Sequence, residues 1–313
     1  MVQLPDGRRS RYRRQEQGLP HGVTPQKLQL LRYLGTLGFA STGQLADLLS
    51  VSAVAARRHL RKLFDAGLVR VVPCARHALA GPSAGFDPSL LYGSAPNVYV
   101  LDRAGERLLQ QLDGRPPGRP PDFGPASSPF LGHELAVRDL YVWLERAARE
   151  RPGHRLEAWR HGRAAWIGLG PGVSPATLRP DAWFAYRLGG RALVGLAEVD
   201  RGTEGALRWK EKVAAFRELF AGGRLRAATG YCQARVLVTV PDGKRRSRLC
   251  RLVSGEAGPD LAGRFWFACH GDATRSGLAG AVWERSGAPG LGPLVDEGLL
   301  DEAAPGANGE AGR

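Results

Sequence analysis

Three carboxylates at the ends of two predicted strands are the side chains of this sequence best placed to do chemistry. Asp181 directly follows Pro180 at the start of one strand, and Glu198 and Asp200 end the next, which runs through the apolar residues 192–197. Residues 198 and 200 are two apart, so both side chains leave the same face of the strand. Carboxylates at the end of a buried strand are costly unless they are solvated, paired or bound to a cation. A divalent cation held there would stabilise charge on a phosphodiester and activate a water molecule.

A further acid and a lysine could complete this group. Glu134 lies one turn before Val137 on the apolar stripe of a helix predicted over 130–150, so we expect it to face the sheet. Its place near the helix N-terminus also favours a carboxylate. A second helix, predicted near 204–221, presents three charged residues on one face at four-residue spacing: Glu204, Arg208 and Lys212.

Two interpretations of these charges stay open. In the first, Mg²⁺ or Mn²⁺ is bound by Asp181, Glu198 and Asp200. Glu134 is then a further catalytic acid, and Lys212 supports the attacking water or the phosphate. In the second, the charges form a structural network of salt bridges: Glu198, Asp200, Arg201, Glu204 and Lys212. The spacing favours neither interpretation, and neither calls for an organic cofactor.

The positive charge of the chain is concentrated near its beginning. The sequence has 44 Lys and Arg against 30 Asp and Glu, and residues 1–116 hold 16 basic and 8 acidic residues. A helix predicted from Ser52 to about Asp65 places Ala56, Leu60, Leu63 and Phe64 on one face and four cations on another: Arg57, Arg58, Arg61 and Lys62. Residues 1–20 form a basic arm that includes Arg13 and Arg14. This distribution predicts contact with double-stranded DNA, the alternatives being a protein-binding helix and a solvated tail.

The elements around the basic helix define a familiar order. Residues 24–113 predict helix, helix, basic helix, a strand at 68–73, a polar loop, a strand at 97–102 and a final helix. That order is the one of a winged helix-turn-helix. In this motif the basic helix enters the major groove and the loop between the strands, the wing, contacts the neighbouring backbone.

The rest of the chain predicts a second domain. The segment 114–129 is rich in proline and glycine, which interrupt helices and central strands, so we expect a linker there. Strands are predicted near 156–160, 181–188, 192–200, 234–240 and 264–269. The expected organisation is an arm (1–20), a winged helix-turn-helix (21–113), the linker, an α/β domain (130–285) and a disordered tail (286–313).

Cysteine usage and hydropathy suggest the cytoplasm. None of the four cysteines forms a CxxC pair, and four in 313 residues do not make a disulfide scaffold. No apolar run approaches the ~18–20 residues that span a bilayer, so no membrane partner is expected.

Three segments carry a resemblance to a known family. They are HELAVRDLYVWLE from 133, LRPDAWFAY from 178 and GLAEVDRGTEGALRWKEKVAAF from 195. Together they resemble the replication-relaxation family of plasmid and mobile-element proteins, over most of residues 24–240. The resemblance implies an α+β protein of two domains, an N-terminal winged helix-turn-helix and an α/β domain similar to PD-(D/E)xK nucleases. It implies a role in plasmid replication, DNA relaxation or conjugative mobilisation.

The same resemblance assigns roles to the acids. Asp181 matches the PD acid, Glu198 the second acid, and Glu134 fits the acid that many such nucleases carry on their first helix. A lysine usually follows the second acid by two residues, but Asp200 occupies that position here. Lys212 on the next helix is the expected substitute, and the alternative is a catalytically silent relative that only binds DNA.

The leading hypothesis is a DNA-binding protein of a mobile element that nicks DNA with a divalent metal ion. It would act with replication or transfer proteins, and a homodimer would suit a symmetric DNA site. The alternative is a winged-helix transcriptional regulator or replication adaptor without catalysis. A toxin or restriction-like nuclease would share the fold, and the sequence does not separate it from the leading hypothesis.

Overall fold

The structure, a computed structural model, describes residues 12–14, 22–72, 97–114, 130–170, 172 and 175–295. Its contacts divide these residues into two units, the first reaching to Arg138 and the second beginning at Asp139. The division falls inside a helix, and residues 115–129 of the predicted linker lie outside the described part of the chain. The first nine residues of that helix therefore pack with the N-terminal unit.

The first unit combines helices with a small antiparallel sheet. Its elements are α1 (Pro25–Leu37), β1 (Phe39–Ser41), α2 (Thr42–Leu49), α3 (Ala53–Asp65), β2 (Val69–Val72), β3 (Val98–Leu101), α4 (Arg103–Asp113) and the start of α5 (Phe130–Glu150). The strands are arranged β1-β3-β2. The predicted helices and strands of this region are confirmed, whereas β1 was not predicted. The predicted wing, between β2 and β3, lies outside the described residues.

Local signals explain where these helices begin. The Ser41 hydroxyl accepts from the Gln44 backbone N–H while the Gln44 side chain accepts from the Ser41 N–H, which is a capping box. Ser52 caps α3 with its hydroxyl, which accepts from the N–H of Ala55. The predicted apolar face of α3 is buried, so its opposite face is directed to solvent.

The second unit is built on a seven-stranded mixed sheet. After α5 come β4 (His154–His161), a 3₁₀ turn (Gly162–Ala165), β5 (Ile167–Gly168), β6 (Thr177–Leu178), β7 (Ala182–Leu188), β8 (Arg191–Val199), α6 (Ala206–Phe220), α7 (Arg224–Thr229), β9 (Arg235–Val240), α8 (Gly243–Ala257), α9 (Pro259–Ala262), β10 (Phe265–Cys269), α10 (His270–Ser276), β11 (Trp283–Arg285) and β12 (Leu291–Gly292). The order is β12-β11-β10-β9-β8-β7-β4. Strands β8, β9 and β10 are parallel, and the other pairings are antiparallel. The short strands β5 and β6 form a separate ribbon.

Helices cover both faces of this sheet. On one face, Leu196 of β8 and Val238 of β9 belong to the core formed with Trp209 and Phe216 of α6. On the other face, Tyr141 of α5 packs edge-on against Trp159 of β4, with ring centroids 5.4 Å apart. Because alternate residues of a strand face opposite ways, even-numbered positions of β8 point toward α6.

The α+β class is confirmed, and each predicted strand and helix of this unit is present. Helix α8 was not predicted, because its run of basic residues masks the apolar face that Leu249, Cys250 and Val253 bury. Residues 286–295, expected to be part of a disordered tail, contain β12 and the buried Leu294 and Val295. Residues 296–313 lie outside the described chain. Among the described residues, no helix is both long and apolar enough to cross a membrane.

Candidate functional site

Asp181 and Glu198 lie near each other where the paired strands β7 and β8 begin and end. The β7–β8 register pairs Ala182 with Ala197, and the N–H of Asp181 donates to the carbonyl of Ala197 at 3.1 Å. Asp181 lies at a bend just before β7, close enough to Glu198 at the end of β8 for its charge to act on that acid. The Asp181 carboxylate is fixed by the N–H of Val199, which donates to its Oδ2 at 2.7 Å. The antiparallel pairing thus brings together two acids that are 17 residues apart in sequence.

Glu198 is a buried acid with one unsatisfied oxygen. Its side chain is 1% exposed, and its Oε2 lies 2.8 Å from Nζ of Lys212. Its Oε1 is buried and has no hydrogen-bond partner among the described residues. Burial raises the pKa of Glu198 to about 7, and nearby Asp181 adds to this, while Lys212 opposes it. A buried oxygen without a partner is costly unless a ligand or water completes it.

Lys212 joins Glu198 to the helix that follows. Its Nζ also lies 2.7 Å from Oε2 of Glu204, which precedes α6. Burial alone would lower the pKa of Lys212, but the carboxylates of Glu198 and Glu204 raise it above its ordinary value. The lysine is therefore cationic and lies beside the acid pair, where the helical spacing predicted it.

Both carboxylate oxygens of Asp200 accept hydrogen bonds from other groups of the protein. Its Oδ1 accepts from Nε of Arg245 at 3.0 Å and from the Gly202 N–H at 2.6 Å. Its Oδ2 accepts from Nη2 of Arg245 at 2.7 Å and from Nε1 of Trp209 at 2.9 Å. Each oxygen already takes two hydrogen bonds, so Asp200 is suited to holding α6 and α8 against the strand end. It does not fit the metal-ligand role that the sequence suggested.

Arg245 is the site residue that sequence reasoning missed. It lies in the first turn of α8, which Asp242 caps through the Arg245 N–H. Arg245 also donates to the carbonyl of Glu204 at 2.6 Å. The helix could have been predicted from the sequence, because Asp242, a typical N-cap residue, follows the strand 234–240. Nothing in the spacing, however, could reveal an ion pair between residues 200 and 245.

Glu134 belongs to the first unit, where it pairs with Arg138. Oε2 of Glu134 lies 2.8 Å from Nη1 of Arg138, whose buried guanidinium donates at 3.0 Å to the carbonyls of Leu37 and Phe39. His133, 3.8 Å away, together with Arg138 lowers the pKa of Glu134 to about 2. The structure gives this acid a packing role, whereas the sequence grouped it with Asp181 and Glu198.

Asp181 and Glu198 offer two carboxylates to a cation. Among the described residues, no group of three or more His, Cys, Asp or Glu side chains is arranged to hold a metal ion. Mg²⁺ is commonly held by one or two carboxylates and keeps several of its waters. The unsatisfied Oε1 of Glu198 beside Asp181 fits that donor set, and Asp200 stands outside it.

The cations predicted to bind DNA fall into two groups. Arg57, Arg58 and Lys62 are exposed along α3. Arg61 instead pairs with Asp65 at 2.8 Å and donates to the carbonyl of Arg13 at 2.9 Å. Arg14 forms an ion pair with Asp102, and its guanidinium lies over the Phe64 ring. Thus part of the basic arm is held against the unit, while three cations of α3 remain available to a polyanion.

Of the comparisons with known proteins, the one with family models finds a match. No curated protein and no solved structure matches the chain. The replication-relaxation family model matches residues 31–234, about two thirds of the sequence, and this span includes α3, Asp181, Glu198 and Lys212. The chain therefore belongs to the replication-relaxation family, which associates it with the replication of plasmids or mobile elements.

Proposed function

We propose that this protein binds double-stranded DNA of a plasmid or mobile element and nicks it with the help of a divalent cation. The nick would serve replication, DNA relaxation or conjugative mobilisation. In this proposal the first unit is a winged helix-turn-helix and the second is a nuclease domain of the PD-(D/E)xK type. The observation that carries it is the buried pair of Asp181 and Glu198, with an unsatisfied oxygen and Lys212 alongside.

The first unit has features suited to duplex DNA. Three helices precede β2 and β3, and the sheet order β1-β3-β2 is compatible with a wing between its last two strands. Helix α3 exposes Arg57, Arg58 and Lys62, and no carboxylate of the described residues forms a salt bridge with them. A helix of this kind fits the major groove, where arginine and lysine reach phosphates and base edges.

In the second unit, a small number of residues would carry out the proposed reaction. Asp181 and Glu198 would hold Mg²⁺ or Mn²⁺, which would supply charge stabilisation for the phosphodiester and an activated water. Lys212 keeps Glu198 oriented and places a positive charge where the scissile phosphate would lie. The Asp200–Arg245 pair fixes the strand end and the first turn of α8, so that the two acids keep their geometry.

The test is nicking of supercoiled plasmid with Mg²⁺ or Mn²⁺. We expect the wild-type protein to convert supercoiled to open-circular DNA, and Asp181→Asn and Glu198→Gln to reduce the rate at least 100-fold. Asp260→Asn is the matched control, because Asp260 is an exposed acid of the same unit on α9. Glu134→Gln should nick at close to the wild-type rate when compared at a temperature where both proteins are folded. Wild-type activity in either site variant would refute the metal site.

A specific observation also supports a second function. All oxygens of Asp200 and one of Glu198 are already satisfied by Arg245, Lys212 and their neighbours. Such a network is what a non-catalytic relative would keep as structure. A protein that shifts duplex DNA but nicks it with no divalent ion would be a regulator or replication adaptor of the same family.

A further inference from the structure

An exposed tryptophan in the second unit is flanked by two arginines. The side chain of Trp166 is 41% exposed. The β5–β6 ribbon pairs Ile167 with Leu178, so the next pair along it is Trp166 and Arg179. The Cζ of Arg179 lies 4.6 Å from the Trp166 ring centroid, and that of Arg163, in the 3₁₀ turn, lies 5.6 Å from it. The ring is thus fixed by local structure and still open to solvent.

Trp166 lines an open cleft of about 770 Å³. Its lining also includes Arg160, Trp183 of β7, and Arg224 with two alanines of α7. Among its lining residues there are two arginines and no acid. The cleft is therefore basic and partly aromatic.

This cleft adjoins the acid pair. Arg179 and Trp183 lie two residues before and two residues after Asp181. In extended chain, side chains two residues apart share a face and are separated by roughly 7 Å. The chain bends at Asp181, so this relation does not extend back to Arg179, whereas Trp183 lies in β7, two residues after Asp181, and lines the cleft. Trp183 therefore connects the cleft to the strand that begins beside Asp181.

Of the two arginines that line the cleft, Arg224 pairs with Glu218 at 3.5 Å, and Arg160 pairs with no described carboxylate. Arg160, Arg163 and Arg179 form no salt bridge with a described carboxylate, whereas Arg155 and Arg187 of the same sheet both pair with Glu157. Arginine stacked on tryptophan still presents its N–H groups to an anion at the ring edge. Aromatic faces next to unpaired cations are the combination that binds single-stranded nucleic acid, through base stacking and phosphate contacts.

We propose that this cleft binds a single-stranded segment of DNA, with one base stacked on Trp166 and its phosphates on Arg160, Arg163 and Arg179. The binding itself is independent of catalysis. That the strand leads to a cutting site rests on the function proposed above. The bases of an intact duplex are already stacked on each other, so a duplex cannot use Trp166 without giving up that stacking.

The experiment compares two probes, a fluorescent 20-nucleotide oligothymidylate and a 20-base-pair duplex, by anisotropy in EDTA. We expect Trp166→Ala to weaken oligothymidylate binding roughly 5- to 150-fold, the range for loss of one stacked base. Trp166→Phe should retain most of the affinity. The matched control is Trp266→Ala, because Trp266 is also flanked by two arginines, Arg235 and Arg285. Duplex affinity should change less than twofold in all three variants.

A salt titration and a cross-link complete the test. Replacing Arg163 and Arg179 by Gln should lower the salt slope for the oligothymidylate by about 0.7 per lost phosphate contact. Ultraviolet irradiation of wild-type protein with a bromodeoxyuridine oligonucleotide should link DNA to the peptide that contains Trp166. Unchanged oligothymidylate binding in Trp166→Ala, or an equal loss in Trp266→Ala, would overturn the proposal. Trp166-dependent binding by a protein that never nicks would support it and refute only the cleavage.

Discussion

Arg138 shows how a single buried cation determines the role of its neighbours. Its side chain is 3% exposed, its guanidinium lies 3.5 Å from the Phe39 ring centroid, and it donates to two backbone carbonyls. Burial lowers its pKa, and the carboxylate of Glu134 opposes that effect. Glu134 is thus the counterion that allows a charge to be buried between α5 and β1.

Glu134→Gln tests this assignment. Removing the partner of a buried charge is strongly destabilising, but Glu134 is 38% exposed and partly screened, so we expect a loss of about 1–3 kcal/mol at pH 7. Because the folded pKa of Glu134, about 2, lies below that of an unfolded glutamate, the ion pair stabilises above pH ~4.3. The loss should therefore disappear as the pH falls from about 4.3 toward 2.

Urea unfolding of wild-type and variant protein at pH 7, 4 and 3 measures this effect. Glu150→Gln is the control, since Glu150 is on the same helix, 64% exposed and 3.6 Å from Arg146. It should change the free energy of unfolding by less than about 0.5 kcal/mol. A pH-independent loss in Glu134→Gln would contradict the ion-pair explanation.

At the scale of elements, one close approach fixes α4 against the start of β2. Gly105 is buried in the first turn of α4, and a Cβ there would lie 2.2 Å from the carbonyl oxygen of Leu68. That carbonyl accepts from the N–H of Asp102 at 2.9 Å, so it cannot move away without breaking the helix entry. The packing of α4 therefore requires glycine.

Gly105→Ala should lower the free energy of unfolding of the first unit by about 2–3 kcal/mol, because a backbone atom, unlike a flexible side chain, cannot yield. Gly43→Ala is the matched control. Gly43 is an exposed glycine of α2, and the nearest atom to its added Cβ is the Ser41 hydroxyl at 3.9 Å. There the higher helix propensity of alanine should stabilise by about 0.5–1 kcal/mol. Thermal unfolding monitored by circular dichroism compares the two, and equal effects would refute the close approach.

Elements with a strong apolar period could be predicted from the sequence, and those without it could not. The strands β7, β8, β9 and β10 are apolar enough to identify, and α3 has a clear apolar face. Helix α8 begins with Gly-Lys-Arg-Arg-Ser-Arg, so its buried residues are hidden among charges. The strand β1 is three residues long and exists only because β3 pairs with it.

The candidate site could likewise be predicted only where a local sequence pattern determines the position of a residue. The side of β8 on which Glu198 lies follows from alternation, and Lys212 follows from helical spacing. Asp181 was expected to join this group, but its position near Glu198 depends on the pairing of β7 with β8. The partners of Asp200 and Glu134 come from tertiary packing, so no local pattern indicated them.

At the scale of the whole molecule, the positive charge is divided between two surfaces of different shape. The first unit presents Arg57, Arg58 and Lys62 on one helix. The second presents arginines around the exposed Trp166. A helix surface suits the groove of a duplex, and an aromatic cleft suits unstacked bases. We expect the two units to bind different forms of the same nucleic acid.

Separate and combined variants test this division. Replacing Arg57, Arg58 and Lys62 by Gln should weaken duplex binding and lower its salt slope by about 0.9 per lost phosphate contact, with little effect on oligothymidylate. Trp166→Ala should do the reverse. Arg32→Gln is the control for the first unit, since Arg32 is exposed but paired with Asp113 at 2.6 Å. In the variant that combines both sets of changes, the affinity for each probe should fall only as far as in the variant of the surface that binds it. The residues belong to different units, so the effects of the two sets of changes on binding should add. Loss of oligothymidylate binding on changing α3 alone would mean that one surface serves both forms of DNA.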